Sequence, residues 1–514
     1  MAFYNELKTH LEAGIPAIYV ETTEWMRFGS ELKQCCEELG KESVFWNIVE
    51  GINGKYTDFV ELLNYLKSGK VENTVIVLEF ADRYFDEPDT HRMFAIMLRS
   101  LRDNKNQVIV LAPSLNLPNT LEKEFAILDF SLPDREAIEQ ILMQVSKDFE
   151  ITENADTANE ILDAVRGLGT TEIWNAFAKV AVNSKKITAE QIPQLIAEKE
   201  QIIRKSGYLE FIRTNESMHS VGGLDGLKTW LEDRKIAFGS EARAKKIDAP
   251  KGVLLLGIPG TGKSLSAKAI AKEWKMPLLR LDMGRIFGGL VGESESNIRN
   301  AIKTAESLEP CVLWIDEIEK GLSGGASSGG ERDGGTSVRV FGSLLTWMQE
   351  KDKEVFVFAT ANDVSKLPPE LLRKGRFDEI FFVDLPDKKE RKDIFDIHLK
   401  NKDQNLKPTD ELLDKTEGFS GAEIEAIVKE GLFLAHRENA NTQNKVKISA
   451  KNLIDAQEPI VPLSTTMQEL ITGLRDWAKN RCRLASTATP PNIQSNPKST
   501  QLKQEISNPF ERGK

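Results

Sequence analysis

The eight residues Gly257-Ile258-Pro259-Gly260-Thr261-Gly262-Lys263-Ser264 constrain this chain more than any other part of it. They fit the pattern Gly-x-x-x-x-Gly-Lys-Ser/Thr, follow the apolar run Val253 to Leu256, and precede a helix-like stretch from Leu265 to Trp274. Strand, loop and helix in that order form a phosphate cradle. The glycines let the backbone curl so that its N–H groups and the helix N-terminus face an anion, while Lys263 supplies a cation and Ser264 a hydroxyl able to ligate Mg²⁺. The expected fold class is therefore α/β, with a nucleoside triphosphate as ligand.

A second apolar run, Cys311 to Ile315, ends in Asp316 and Glu317. A triphosphatase needs such a pair beside its phosphate loop: Asp316 to hold Mg²⁺, and Glu317 to polarise the attacking water as general base. At 514 residues the chain is well past the roughly 250 to 300 at which one core splits into several. Its 68 Lys and Arg against 79 Asp and Glu leave a net charge of −11, which argues against a nucleic-acid partner, since phosphate-backbone binding needs a clustered basic excess. Cys35, Cys36, Cys311 and Cys482 show no metal-ligand spacing, which points to a reducing compartment. The opening MAFYNELKTH has no apolar core of an export signal, and no stretch approaches the roughly 18 apolar residues of a membrane span.

A faint duplication relates the first two hundred residues to residues 250 to 460. Val75 to Leu78 ends in Glu79 much as Val312 to Ile315 ends in Asp316, and Val108 to Ala112 corresponds to Val355 to Ala359. Leu132-Pro133-Asp134 matches Leu385-Pro386-Asp387, and Gly167 to Ile173 matches Gly418 to Ile424. Two copies of one α/β module are expected, although strand, turn and helix also recur in this order in unrelated folds. The expected organisation is an N-terminal module over 1–205, a linker over 206–220, a second α/β core over 221–387, a helical segment over 388–460, a C-terminal helix over 461–484 and a disordered tail over 485–514. Gly321 to Gly335, rich in Gly and Ser, reads as a long mobile loop. A capping box at Thr466 and Glu469 would open the C-terminal helix, with Leu470, Leu474 and Trp477 on its apolar face.

The segments APKGVLLLGIPGTGKS, LVGESESNIR, VLWIDEIE, FATANDVSKLPPELLRKGRFDE and EGFSGAEIEAIV, in that order, resemble the AAA ATPase family, nearest its unfoldases and remodellers. The likeness spans roughly residues 215 to 460. Over its whole length the chain resembles AAA-domain proteins of cyanobacterial and red-algal plastid genomes. The resemblance implies ATP and Mg²⁺ as ligands, ATP hydrolysis, and a homo-oligomer in the form of a hexameric ring acting on a protein partner yet to be identified. It implies an AAA module with a helical lid, preceded by a degenerate AAA-like module, located in the cytoplasm or, if plastid-encoded, the stroma. By position, residues Gly257 to Leu265 would hold the phosphates, Asn362 would orient the lytic water, and Arg376 would reach into a neighbouring subunit's site. Gly222, Gly223, His398, Gly421 and Ala422 fall where the family's adenine pocket lies; His398 is equally at home as an ordinary helix histidine.

Three departures bear on function. Glu379 stands where many relatives carry a second arginine, and Leu290 replaces the aromatic residue of the pore loop. The N-terminal half has IPAIYVETTEW in place of a phosphate loop, and Phe80 follows Glu79 where a second carboxylate would stand, so catalysis there is expected to be absent. The sequence thus supports a protein remodeller first, a slow ATP-dependent switch or scaffold second, and a nucleic-acid motor a distant third.

Overall fold

A computed structural model describes residues 2–487, apart from 53, 102–103, 114, 154–157, 206, 239–241, 243–244, 288–292, 324–333, 374 and 439–445. The chain divides into two compact units, Met1–Lys199 and Glu200–Lys514. No helix among the described residues is long and apolar enough to cross a membrane.

In the first unit, β1 (Ala17–Glu21), β2 (Glu42–Trp46), β3 (Thr74–Glu79), β4 (Gln107–Ala112) and β5 (Phe125–Asp129) form an all-parallel sheet of order β2-β3-β4-β1-β5. Residues Val75 to Leu78 and Val108 to Ala112 are buried without alternation, because helices cover both faces. Leu62, Leu66, Phe94 and Leu98 pack one face, and Leu7, Leu11, Phe28 and Leu32 the other. Asp134 then caps the helix Arg135–Asp148 by accepting from the Ala137 amide. Two short strands, β6 (Thr152–Glu153) and β7 (Lys186–Ile187), pair beside the helices Ala158–Val165 and Thr170–Ser184.

The second unit contains β8 (Leu209–Phe211), β9 (Gly252–Gly257), β10 (Leu278–Leu281), β11 (Cys311–Ile315), β12 (Val355–Ala361), β13 (Glu379–Val383) and β14 (Arg483–Leu484), in the order β14-β13-β9-β12-β11-β10-β8. Without its two edge strands the order is fifth, first, fourth, third, second. Read from β5, the first unit has the same order, so the duplication seen in the sequence is a duplication of topology. Asp387 caps the helix Lys388–Asn401 just as Asp134 caps its counterpart. This helix, with Asp410–Lys415, Gly421–Glu438 and Ala450–Gln457, encloses an apolar cluster that includes Phe395, Leu412, Ile427 and Leu453.

Three readings from the sequence are corrected. The 206–220 stretch contains β8, which pairs antiparallel with β10 through Leu279 and Phe211, so it is part of the sheet rather than a free linker. Residues 461–484 form two helices, Leu463–Thr466 and Gln468–Ala478, and then β14. Met467 precedes the second helix without a side-chain cap, and its buried face is Ile471, Leu474 and Ala478. Leu470 is left exposed because Ile471 packs on Ile258 and Leu385, and Leu474 on Phe382. The expected tail begins in ordered structure: the Ala485 amide donates to Phe382 O at 2.9 Å, and Ala485 O accepts from the Leu227 amide at 3.0 Å. Residues 488–514 lie outside the described residues. Of the Gly-Ser stretch, Gly321 to Ser323 end one short helix and Gly334 opens another, Gly334–Glu350; the residues between are outside the described set. Leu290 is outside it as well.

Candidate active site

β9 ends at Gly257, and the helix Lys263–Glu273 begins six residues later. Gly257 has φ +154°, and a Cβ there would lie 2.0 Å from Val383 O. Gly260 and Gly262 have φ +77° and +91°, in the left-handed region that only glycine enters cheaply. The loop between them therefore curls ahead of an 11-residue helix, leaving amides and the positive helix end turned toward one space. Lys263 Nζ folds back to donate to Gly257 O at 2.9 Å and Ile258 O at 2.7 Å. Burial pulls its pKa down to about 8, against the opposing pull of Glu319, Asp316 and Glu317.

The acidic pair lies at the end of β11, beside this loop. Asp316 Oδ1 accepts from Ser264 Oγ at 2.8 Å and from Thr360 Oγ1 at 2.7 Å. Thr360 Oγ1 in turn accepts from the Glu317 amide at 3.0 Å. Glu317 has φ +49°, an unusual conformation for a residue with a side chain and a form of strain often found at functional positions. Its Oε1 accepts from Asn362 Nδ2 at 2.8 Å, and its Oε2 pairs with Lys320 Nζ. The Asn362 amide donates to Glu319 Oε1 at 2.8 Å, and burial raises the pKa of Glu319.

These groups open onto a cavity of about 460 Å³ lined by Pro259 to Leu265, Asp316, Glu317, Thr360 and Asn362, together with Gly222, His398, Gly421 and Ala422. The Ala422 amide donates to Gly260 O at 3.0 Å, so the helix Gly421–Glu438 rests directly on the phosphate loop. Burial lowers the pKa of His398, partly countered by Glu425, and both side chains line the cavity.

The other sequence candidates lie outside this lining. Gly257 supplies a carbonyl to Lys263, and Ile258 is buried against Leu385. Gly223, at φ +65°, leaves room for Glu390, whose Oε1 would be 2.3 Å from a Cβ there. Arg376 is half-buried ahead of β13 and donates to Glu370 O. Thr360, Glu319, Lys320 and Glu425 were missed by the sequence reading. Thr360 had a usable signal, since it stands near the end of β12, two residues before Asn362.

The donor set suits a hard divalent cation: the Ser264 hydroxyl and an Asp316 carboxylate oxygen, already 2.8 Å apart, are oxygen ligands of the kind Mg²⁺ takes.

The corresponding place in the first unit is filled by protein. After β1, the carboxylate of Glu24 accepts from the Thr170 amide at 3.0 and 2.9 Å through its two oxygens, at the N-terminus of the helix Thr170–Ser184. Glu24 is buried, and a Cβ on Gly169 would lie 2.5 Å from it. Phe80, at φ +58°, keeps the left-handed backbone seen at Glu317 but packs its ring at a tilt against Trp25, with centroids 4.6 Å apart.

Fold, cradle and acidic strand end together define a nucleotide-binding ATPase module with a helical lid, and the chain belongs to the AAA ATPase family. The model of the ATPase family associated with various cellular activities matches residues 253–385, and the AAA+ lid domain matches 408–450. The N-terminal and second domains of SpoVK-like AAA ATPases match 3–130 and 135–206. The chain is similar to the uncharacterized AAA domain-containing protein ycf46 of Guillardia theta, 36% identical over 499 residues, covering 95% of this chain and 97% of that one. Its similarity to ycf46 of Pyropia yezoensis is 37% over 504 residues, covering 95% and 100%. A cell division cycle protein 48 homolog of Archaeoglobus fulgidus is 31% identical over 410 residues, covering 71% of this chain and 54% of that protein.

Proposed function

We propose that the second unit binds ATP with Mg²⁺ and hydrolyses it to ADP and phosphate, and that the chain works as an oligomeric protein remodeller. The observation that carries this reading is Glu317, strained at the end of β11 and held by Asn362 at 2.8 Å beside the phosphate cradle. The amides of 258–263 would bind the phosphates, and Lys263 would exchange its two loop carbonyls for phosphate oxygens. Ser264 and Asp316 would hold Mg²⁺, which would supply charge neutralisation for the triphosphate. Glu317 takes a proton from water as the water oxygen bonds to the γ-phosphorus and the bond to the ADP oxygen breaks, with Asn362 orienting the water. Because the lid helix rests on Gly260, loss of the γ-phosphate would change the core-to-lid contacts and so produce motion. Arg376, which is not part of the lining of its own cavity, would serve a neighbouring subunit in a hexameric ring. Four free cysteines among the described residues suit a reducing compartment, whether cytoplasm or plastid stroma.

A slow switch or scaffold is the second reading. It is favoured by Glu379, which pairs with Arg483 at 4.0 Å and stands where many relatives carry a second arginine, so that in a ring an acid would face a neighbour's triphosphate. Light scattering after size exclusion tests the ring: with ATP and Glu317→Gln the protein should elute as an oligomer, and a monomer under those conditions overturns it. Partner-stimulated turnover that falls with Leu290→Asp supports remodelling. Full biological activity of Glu317→Gln supports the switch.

A further inference from the structure

We propose that Lys320 is a positioning residue that restrains Glu317 before hydrolysis, so that breaking their pair is a step in activating the site. This rests on the ATPase reading above. Glu317 and Lys320 belong to one turn, closed by the Lys320 amide donating to Glu317 O at 2.8 Å. The turn brings the ammonium of Lys320 onto Glu317 Oε2, while Oε1 is taken by Asn362. Both oxygens of the proposed base are thus engaged. A carboxylate with both oxygens engaged is aimed at its partners rather than at water.

The two partners differ in what they can do. Asn362 directly follows β12 and is fixed by the bond from its amide to Glu319. Lys320 is held to the turn by its backbone, and its side chain is 71% exposed, against 33% for Glu317. An exposed lysine on a four-carbon stem can swing into solvent at little cost, so this contact is the one that can open. A neighbouring subunit or a bound phosphate that draws the ammonium away would free Glu317 Oε2 while Asn362 continues to hold Oε1.

The weakness of exposed pairs sets the size of the effect. Lys320→Ala should raise kcat about two- to fivefold and leave KM for ATP unchanged. Lys320→Arg, which keeps a cation on the turn, should return kcat to the wild-type value. A readout independent of turnover is the rate at which an amine-acylating reagent modifies Lys320 in nucleotide-free protein, followed by mass spectrometry. Pairing with Glu317 keeps the amine protonated, so acylation should be several-fold slower in wild type than in Glu317→Gln. Equal acylation rates, or a kcat for Lys320→Ala at or below wild type in protein that still binds ATP, overturn the restraint. Wild-type turnover by Glu317→Gln overturns the underlying ATPase reading, a failure the acylation rates distinguish because they require no hydrolysis.

Discussion

Asn362 Nδ2 lies 2.8 Å from Glu317 Oε1 and ties the end of β12 to the residue just past β11. Its backbone amide is fixed separately by Glu319, so the side chain has one orientation to offer. Asn362→Ala should therefore lower kcat roughly 10- to 100-fold, in the range for removal of one preorganised donor, while the affinity for nucleotide stays within about twofold. Steady-state kinetics beside a fluorescent-nucleotide titration checks both. An equal loss of affinity and rate would assign Asn362 to binding.

Lys351 gives a pH signature. Burial brings its pKa down to about 8, against the pull of Asp378, and its Nζ donates to Val355 O at 2.5 Å. Below pH 8 the folded protein bears the full cost of a buried cation. Between about 8 and the unfolded value near 10.4 the unfolded chain holds more protons than the folded one, so this group's contribution to stability rises with pH. Lys351→Met should thus be more stable than wild type by about 1–3 kcal/mol at pH 7, with the difference shrinking as pH climbs through that window. Denaturant unfolding at pH 7, 8.5 and 10 measures it, and a difference that grows with pH would contradict the assignment.

Glu24 holds the N-terminus of the helix Thr170–Ser184 through the Thr170 amide. Glu24→Ala leaves the Thr170 amide without its acceptor and Arg27 without a carboxylate 3.5 Å away, at an expected cost of about 2–4 kcal/mol. Hydrogen exchange of amides 170–184 in the full chain should quicken in this variant, and less so in Glu24→Gln. Unchanged protection would mean that the carboxylate does not hold the helix.

Gly257→Ala should destabilise the second unit by more than about 2 kcal/mol, because the new methyl would sit 2.0 Å from Val383 O where β9 and β13 pair, and φ +154° suits no other residue there. Thermal unfolding reads this directly.

What could be seen in the sequence follows from how local each signal is. The Leu-Pro-Asp turns end in Asp134 and Asp387, and both cap the next helix through an amide three residues on. The apolar runs ending at Glu79 and Asp316 are buried strands for the same reason. Ser264 and Asp316 were assigned from two separate motifs, and the sheet brings them to 2.8 Å across 52 residues. Contacts without a local pattern stayed hidden. Glu24 meets Thr170 across 146 residues, and no spacing announces that a carboxylate replaces an anion. The two-residue β14 forms only because the edge of β13 is available, which no propensity encodes. Helical periodicity gives the apolar face near Leu470 only to within one position, whereas packing on Ile258 and Phe382 selects Ile471 and Leu474.

Titration of a fluorescent ATP analogue into wild type and Lys263→Ala tests the central claim most directly. Wild type should show saturable, Mg²⁺-dependent binding that is lost in Lys263→Ala, with Glu317→Gln binding as tightly as wild type. Equal, tight binding by Lys263→Ala would show that the loop from Gly257 to Ser264 does not hold the triphosphate.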